Sequence, residues 1–241
     1  MSRKRLKANT HAISALTIAL IIIIVVGSVV AILAATILLG FWKPFDQIVG
    51  SGTLDTEKMT FTDFTIIEVG WGFEVDIDQS DSYSINITAD DNMFDYIETS
   101  KTGNTLKIGL KLGYIYQNTT LKAEITMPDL YEATFSGGAR GTVEGFTSSH
   151  DFAISLSGGC NISLEGAAND LTISASGGSH LSLRDFPVHD TTVNLSGGSH
   201  ATINLDGRLD GNLSGGSHLT YLGNPTTIDV NASGGSTVER D

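Results

Sequence analysis

The chain has 241 residues, with 14 Lys and Arg against 27 Asp and Glu and a net charge of −13. Its 27 Gly, 4 Pro and single Cys exclude collagen, an internal disulfide framework and a multi-cysteine zinc site. The acidic balance excludes nucleic acid as a partner, whose phosphates need a basic face.

From Ala12 to Trp42 no residue is charged, and only Ser14, Thr17, Ser28 and Thr36 are polar. A spanning helix needs about 20 apolar residues, and a secretory signal has an apolar region of only about 7–15. The 12–42 run therefore predicts a retained transmembrane helix. Arg3, Lys4, Arg5 and Lys7 precede it and Lys43 alone follows. The richer basic side stays in the cytoplasm. The expectation is a single-pass protein of the cytoplasmic (plasma) membrane, with residues 1–11 inside and the C-terminal domain outside. Residues 44–241 hold 9 basic and 27 acidic side chains, a net of −18.

Residues 43–56 contain Gly50-Ser51-Gly52 and read as a flexible linker. Strand-like runs follow at Phe64–Val69, Phe73–Ile77, Tyr83–Thr88, Thr105–Leu112 and Leu121–Met127, rich in β-branched and aromatic residues. Asp91–Tyr96 reads as a short helical or irregular patch.

From Leu130 the chain repeats itself. Ser-Gly-Gly begins at Ser136, Ser157, Ser176, Ser196, Ser214 and Ser233. Odd offsets from each Ser are mainly apolar: Phe135, Leu156, Ala175 and Leu195 one before, and Ile162, Leu181, Ala201 and Leu219 five after. Even offsets are mostly Ser, Thr, Asn, His and Asp. This is the alternation of a strand buried on one face. The pattern runs through Ser-Gly-Gly in phase, which places the first glycines (Gly137, Gly158, Gly177, Gly197, Gly215 and Gly234) inward at a crowded structural corner. Looser turns are expected at Glu165–Asp170, Arg184–Asp190, Asp206–Arg208 and Gly223–Pro225. A repeat of about 20 residues with two short strands is too small for a propeller blade and fits a parallel β-solenoid. The fold expected over 57–241 is all-β, with stacked coils about 4.8 Å apart.

Gly50-Ser51-Gly52, Phe64–Ile77, Ile125-Thr126-Met127-Pro128-Asp129-Leu130 and the Ser-Gly-Gly tracts together resemble the head GIN domain family, described as the head of auto-transporter adhesins. The resemblance covers roughly residues 55–240. It implies an all-β, solenoid-like domain on the cell surface and carries no catalytic residues to transfer. Members of the family often begin with a lipoprotein or signal peptide; here a long anchor stands instead.

The sharpest chemical pattern is a histidine column. Four residues after the Ser stand Arg140, Asn161, His180, His200, His218 and Thr237. Three outward imidazoles can bind a divalent metal or change charge near pH 6. Zinc wants ligands converging tetrahedrally, however, and a linear outward ladder diverges. The column therefore reads as an exposed ladder, with neither metal nor cofactor. Asp185, Asp190, Asp206 and Asp210 are candidates for a carboxylate pair of a glycoside hydrolase, but turn Asp residues usually cap their own turns. Asp76 and Asp78, and Asp90-Asp91, lack the full calcium-loop spacing. Cys160 takes an inward small position and reads as an inert thiol. Asn86, Asn118, Asn161, Asn194, Asn212 and Asn231 begin Asn-x-Ser/Thr, allowed for glycosylation in an external domain.

Three functions follow in order. The first is a non-catalytic binding or adhesion module for a cell-surface glycan or protein. The second is a self-associating scaffold, a homo-oligomer. The third is a carbohydrate-active enzyme.

Overall fold

The computed structural model describes residues 45–241; the segment expected to span the membrane lies outside them. Among the described residues no helix is long and apolar enough to cross a membrane. The first strands are β1 (Asp46–Val49), β2 (Leu54–Met59), β3 (Ile66–Val69), β4 (Glu74–Gln79) and β5 (Ser84–Asp90). A 3₁₀ helix at Asp91–Tyr96 leads to β6 (Ile97–Thr102), β7 (Thr105–Leu110), β8 (Tyr114–Gln117) and β9 (Leu121–Met127). The repeat then supplies strands in pairs: β10 (Glu132–Ser136) and β11 (Arg140–Thr147), β12 (Phe152–Ser157) and β13 (Asn161–Ala167), β14 (Leu171–Ala175) and β15 (His180–Val188). It continues with β16 (Thr191–Leu195) and β17 (His200–Leu205), β18 (Arg208–Leu213) and β19 (His218–Gly223), and β20 (Thr227–Ala232) and β21 (Thr237–Arg240).

Each repeat gives one strand to each of two sheets. The nine-stranded sheet runs β20-β18-β16-β14-β12-β10-β3-β7-β6, and the ten-stranded sheet β2-β5-β9-β4-β11-β13-β15-β17-β19-β21. Successive coils pair in parallel and in register, so Phe135 lies beside Leu156, Leu156 beside Ala175 and Ala175 beside Leu195. These residues and their counterparts on the other sheet, such as Ile162, Leu181 and Ile203, form the core between the sheets. Burying one Leu or Ile fully contributes about 1.5–3 kcal/mol, and each middle coil buries several.

The corners correct the expected phase. The first glycine of Ser-Gly-Gly is exposed, not inward. Both glycines have positive φ, 68° at Gly177 and 76° at Gly178. Two such residues in succession are the signature of a type I′ turn, and Ala139 N–H closes the first one onto Ser136 O at 3.3 Å. The turn carries the chain outward for two residues and returns the next, Ala139, Cys160, Ser179, Ser199 or Ser217, to the buried side. Crowding lies along the stack rather than toward the core. A Cβ on Gly177 would stand 2.9 Å from Gly158 N, and one on Gly215 3.0 Å from Gly197 N. Above the second glycine, at Gly178, nothing comes within 4 Å.

The inward Ser residues are satisfied inside the corner. Ser179, Ser199 and Ser217 each donate Oγ–H to the carbonyl of the Ser three before, at 2.8 Å. Cys160 points its thiol at Ser157 O in the same way, at 3.1 Å.

Two more coils precede the first Ser-Gly-Gly. Strands β3 and β4 pair with β10 and β11, and their corner is Gly70-Trp71-Gly72. Beyond them β7 and β9 pair in parallel with β3 and β4. Antiparallel strands close this end: β6 on β7, β5 on β9, and β2 on β5.

Two further expectations are corrected. The 43–56 stretch is not wholly a tether: β1 joins β8 in a two-stranded sheet, and β2 edges the ten-stranded one. The Gly50-Ser51-Gly52 bend is pinned by Asp90, which is 1% exposed and accepts hydrogen bonds from Gly52 N at 2.6 Å and Thr120 N at 2.7 Å. The turn expected at Arg184–Asp190 is mostly strand, since β15 runs to Val188 with a bulge between Leu183 and Pro187. Arg184 and Asp185 both face out, after which Phe186 and Val188 return to the core. A bulge of this kind breaks the alternation without ending the strand.

The two glycines of a corner should therefore respond differently. Asn adopts the left-handed region more readily than other side chains, so Gly178→Asn should cost about 1 kcal/mol, the low end for a non-glycine residue there. Gly177→Asn forces its Cβ onto the Gly158 amide and should cost about 1–3 kcal/mol more, by analogy with overpacking. Thermal melting of the two variants checks this; equal losses would refute the axial-stacking account.

Candidate functional site

The strands hold two outer faces, and alternation decides what each presents. On the nine-stranded sheet one column outside the core is Thr134, Ser155, Ser174, Asn194, Asn212 and Asn231, set side by side by the register. The serines that open the corners make a second column two residues on. Together they border a shallow groove of about 440 Å³. No charged side chain lines it.

At the head of this face stands Trp71, 44% exposed. It occupies the place of the first glycine in the later corners: a Cβ on Gly137 would lie 3.1 Å from Trp71 N. Its φ is 62°, a left-handed conformation. That region is an outlier for a bulky side chain. The indole leans over Gly109 of β7, where a Cβ would come within 3.2 Å of Trp71 Cδ1. Glu68 and Lys107 pair beside it at 3.1 Å.

The ten-stranded sheet carries the histidines. His180, His200 and His218 occupy one register position on β15, β17 and β19. Their rings stack with centroids 4.7 Å apart, the first pair 8° and the second 26° from parallel. Stacked rings hold their nitrogen lone pairs side by side rather than aimed at one point. His218 Nδ1 contacts Thr237 Oγ1 at 2.6 Å. Among the described residues no group of three His, Cys, Asp or Glu side chains is arranged to hold a metal ion.

Three of the four turn carboxylates have structural partners, and the fourth, Asp185, faces out on β15. Asp190 accepts from Arg208 N at 2.6 Å, Asp206 contacts His189 Nδ1 at 2.9 Å, and Asp210 holds the Arg208 guanidinium at 2.7 Å. The Asp206 hydrogen bond raises the His189 pKa; desolvation opposes it, and the negative charges of Asp190, Asp206 and Asp170 add to the rise. Asp76 accepts from Thr142 Oγ1 at 3.1 Å and shares an acidic patch with Asp78, Glu124 and Glu144. Asp90 is the buried clamp described above rather than a surface ligand.

Three features escape a reading of the sequence. Trp71 lies outside any Ser-Gly-Gly, so only its flanking glycines mark the corner. Asp90 sits at the end of a strand with nothing local to show its burial. His150 belongs to the turn between β11 and β12, yet its Nε2 reaches Asp129 Oδ1 at 2.7 Å and its ring stacks on Tyr131, centroids 3.7 Å apart and 7° from parallel.

Parallel strands stacked coil upon coil into two facing sheets define the class: an all-β, solenoid-like protein. The chain belongs to the family described as "Putative auto-transporter adhesin, head GIN domain", whose profile matches residues 63–225. A crystal structure described as a putative adhesin from Bacteroides fragilis is similar in fold, with TM-score 0.68 and 20% identity over 80% of this chain and all of that one. A putative adhesin from Parabacteroides merdae gives a TM-score of 0.52 at 21% identity, over 81% of this chain and 99% of that one. A protein of Parabacteroides distasonis described as a putative lipid binding protein gives 0.51 at 19% identity, over 81% of this chain and all of that one. A search of curated protein sequences finds no match.

The His150 contact sets a pH dependence. Desolvation lowers the ring's pKa, but the hydrogen bonds to Asp129 and to the Asp151 carbonyl, with the charges of both carboxylates, outweigh it and leave the value raised. A raised folded value means the contact stabilises fully below the unfolded value of about 6.5 and fades as pH rises through the folded one. His150→Ala should therefore lower the melting temperature more at about pH 5.5 than at about pH 8.5. Equal losses at the two pH values would assign the whole effect to the Tyr131 stack.

Proposed function

We propose that the protein is a single-pass, membrane-anchored binding module of the cell surface. Residues 12–42 span the cytoplasmic membrane, the N-terminus lies inside, and residues 57–241 form an external parallel β-solenoid that recognises a surface partner without catalysis. The observation that carries this reading is the uncharged groove on the outer face of the nine-stranded sheet, a row of short hydroxyl and amide side chains on rigid strands. Such a surface offers many weak polar contacts at little entropic cost, because its backbone is already ordered. Three of the four turn carboxylates that a hydrolase would use, Asp190, Asp206 and Asp210, are tied to Arg208 and His189, which favours binding over cleavage. The family's adhesin description agrees with this.

One observation favours a second reading, self-association. Among the described residues the last coil leaves the outer edges of β20 and β21 without partner strands and Ile228 45% exposed. An open edge with apolar side chains is a template for strand addition.

Cells producing the full chain with a tag at each end should lose the C-terminal tag to added protease and keep the N-terminal one. They should also adhere to immobilised cell-surface material better than cells without the chain, and release no reducing sugar from it. An N-terminal tag removed from outside overturns the topology, and equal adherence overturns the binding reading. Light scattering of the full chain in detergent reports the self-association.

A further inference from the structure

We propose that Trp71 is the anchoring platform for an uncharged, linear oligosaccharide that lies along the coil axis on the outer face of the nine-stranded sheet. The inference rests on the binding reading above and names its ligand class and site.

The first argument is the cost of placing an indole there. Six later corners put Gly at this point, where φ near +60° carries no Cβ penalty. Trp71 adopts the same φ with a bulky side chain. Its ring is not spent on the core, being 44% exposed. Its Cδ1 and Nε1 atoms lie over Gly109, where the missing side chain makes room. The exposed remainder of the ring is left for a ligand. A flat aromatic ring suits the apolar C–H face of a sugar, and Trp is among the residues that most often anchor recognition sites.

The second argument is what surrounds the ring. A depression of about 160 Å³ is lined by Glu68, Trp71, Lys107, Gly109, Thr134 and Ser136. A carboxylate, an ammonium and two hydroxyls at the rim of an aromatic platform give donors and acceptors to sugar hydroxyls. Thr134 also lines the adjoining groove of about 440 Å³, so the groove begins where the depression ends.

The third argument is selectivity. The chain has a net charge of −13, yet the groove carries no charged side chain. An anionic ligand gains nothing there and is repelled by the whole, since net charge acts at long range. A peptide adding as a strand needs a sheet edge, whereas this is a sheet face. A polymer of uncharged units with many hydroxyls matches a row of hydroxyl and amide groups repeated at about 4.8 Å.

The two Trp residues are Trp42 and Trp71, so Trp42→Phe leaves Trp71 as the sole indole reporter. The full chain bearing this change, in a detergent without a sugar headgroup, is titrated with cellohexaose, mannohexaose, maltohexaose and chitohexaose and with the matching disaccharides. At least one hexasaccharide should shift Trp71 emission saturably and bind about tenfold more tightly than its disaccharide. Trp71→Gly restores the residue of the later corners. It should melt within a few degrees of the parent or above it, yet bind the same hexasaccharide about tenfold more weakly by calorimetry. Asn194→Ala should weaken the hexasaccharide and leave the disaccharide unchanged. The inference is overturned if no saccharide moves Trp71 emission, or if Trp71→Gly binds as the parent does. It is also overturned if Trp71→Gly is strongly destabilised, which would make the indole a structural cover for Gly109. Cells carrying Trp71→Gly that adhere as well as wild-type cells sink the inference and leave the binding reading standing. Wild-type cells that do not adhere sink both.

Discussion

Everything regular in this domain depends on one steric condition: at each Ser-Gly-Gly corner the first glycine passes so close to the coil before it that a Cβ would stand only 2.9–3.3 Å from a backbone nitrogen of that coil. A side chain there enters only if the neighbouring coil gives way. This fixes the rise from coil to coil at the corner, and strand pairing fixes the same rise along both sheets. The two agree, and the agreement keeps the columns straight. Stacked imidazoles 4.7 Å apart and an unbroken Ser column are consequences of that agreement, not separate inventions. The looser side of each coil also passes close to its predecessor, at Gly166 and Gly223, but its length varies from coil to coil. There the bulges between Leu183 and Pro187, and between Val143 and Phe146, absorb differences in length.

The repeat is legible in the sequence because each coil solves the same problem with the same letters. Apolar residues at odd offsets report the core, and Ser-Gly-Gly reports the corner, so both strands of each later coil are visible without coordinates. The error lay in the glycine itself. Periodicity assigns it to the inside, but a turn with two left-handed residues steps out of the alternation and back in phase, and period two cannot detect an excursion of even length. The Arg184–Asp190 stretch fails for the opposite reason: a bulge shifts the phase by one, and an intact strand then looks like a turn. The capping end is less legible still. The coil of β3 and β4 has Trp71 where glycine is the rule, and its neighbours are non-consecutive strands whose pairing no local pattern encodes. Asp90 is unreadable for a related reason, since both amides it holds, Gly52 and Thr120, lie at least 30 residues away.

The two faces of the stack differ in what alternation left on them. The ten-stranded sheet mixes charge: Lys122, Glu74 and Arg140 precede the histidines in one column, with Lys122 and Glu74 paired at 3.3 Å. The nine-stranded sheet is neutral through its middle coils, between Glu132 on β10 and Asp210 on β18, and Trp71 stands at the corner that follows β3. A groove without charges is uncommon on a chain this acidic. Rigid strands beneath it keep its groups at fixed spacing, so contacts made there need no ordering of the protein at the moment of binding.

The path through the capping end has a consequence for assembly. The chain lays down β3 and β4, leaves for β5 and β6, and then returns to insert β7 beside β3 and β9 beside β4 before the first Ser-Gly-Gly is reached. The least local pairings of the two large sheets are those that dock the first repeat onto this end, β10 on β3 and β11 on β4. As a chain emerges from its N-terminus, the slow, high-contact-order work is complete once that first repeat has docked. Each later coil needs only its predecessor as a template, so the domain grows by accretion from a finished seed. Its length becomes an adjustable quantity, set by how many coils the gene supplies rather than by any closure of the fold.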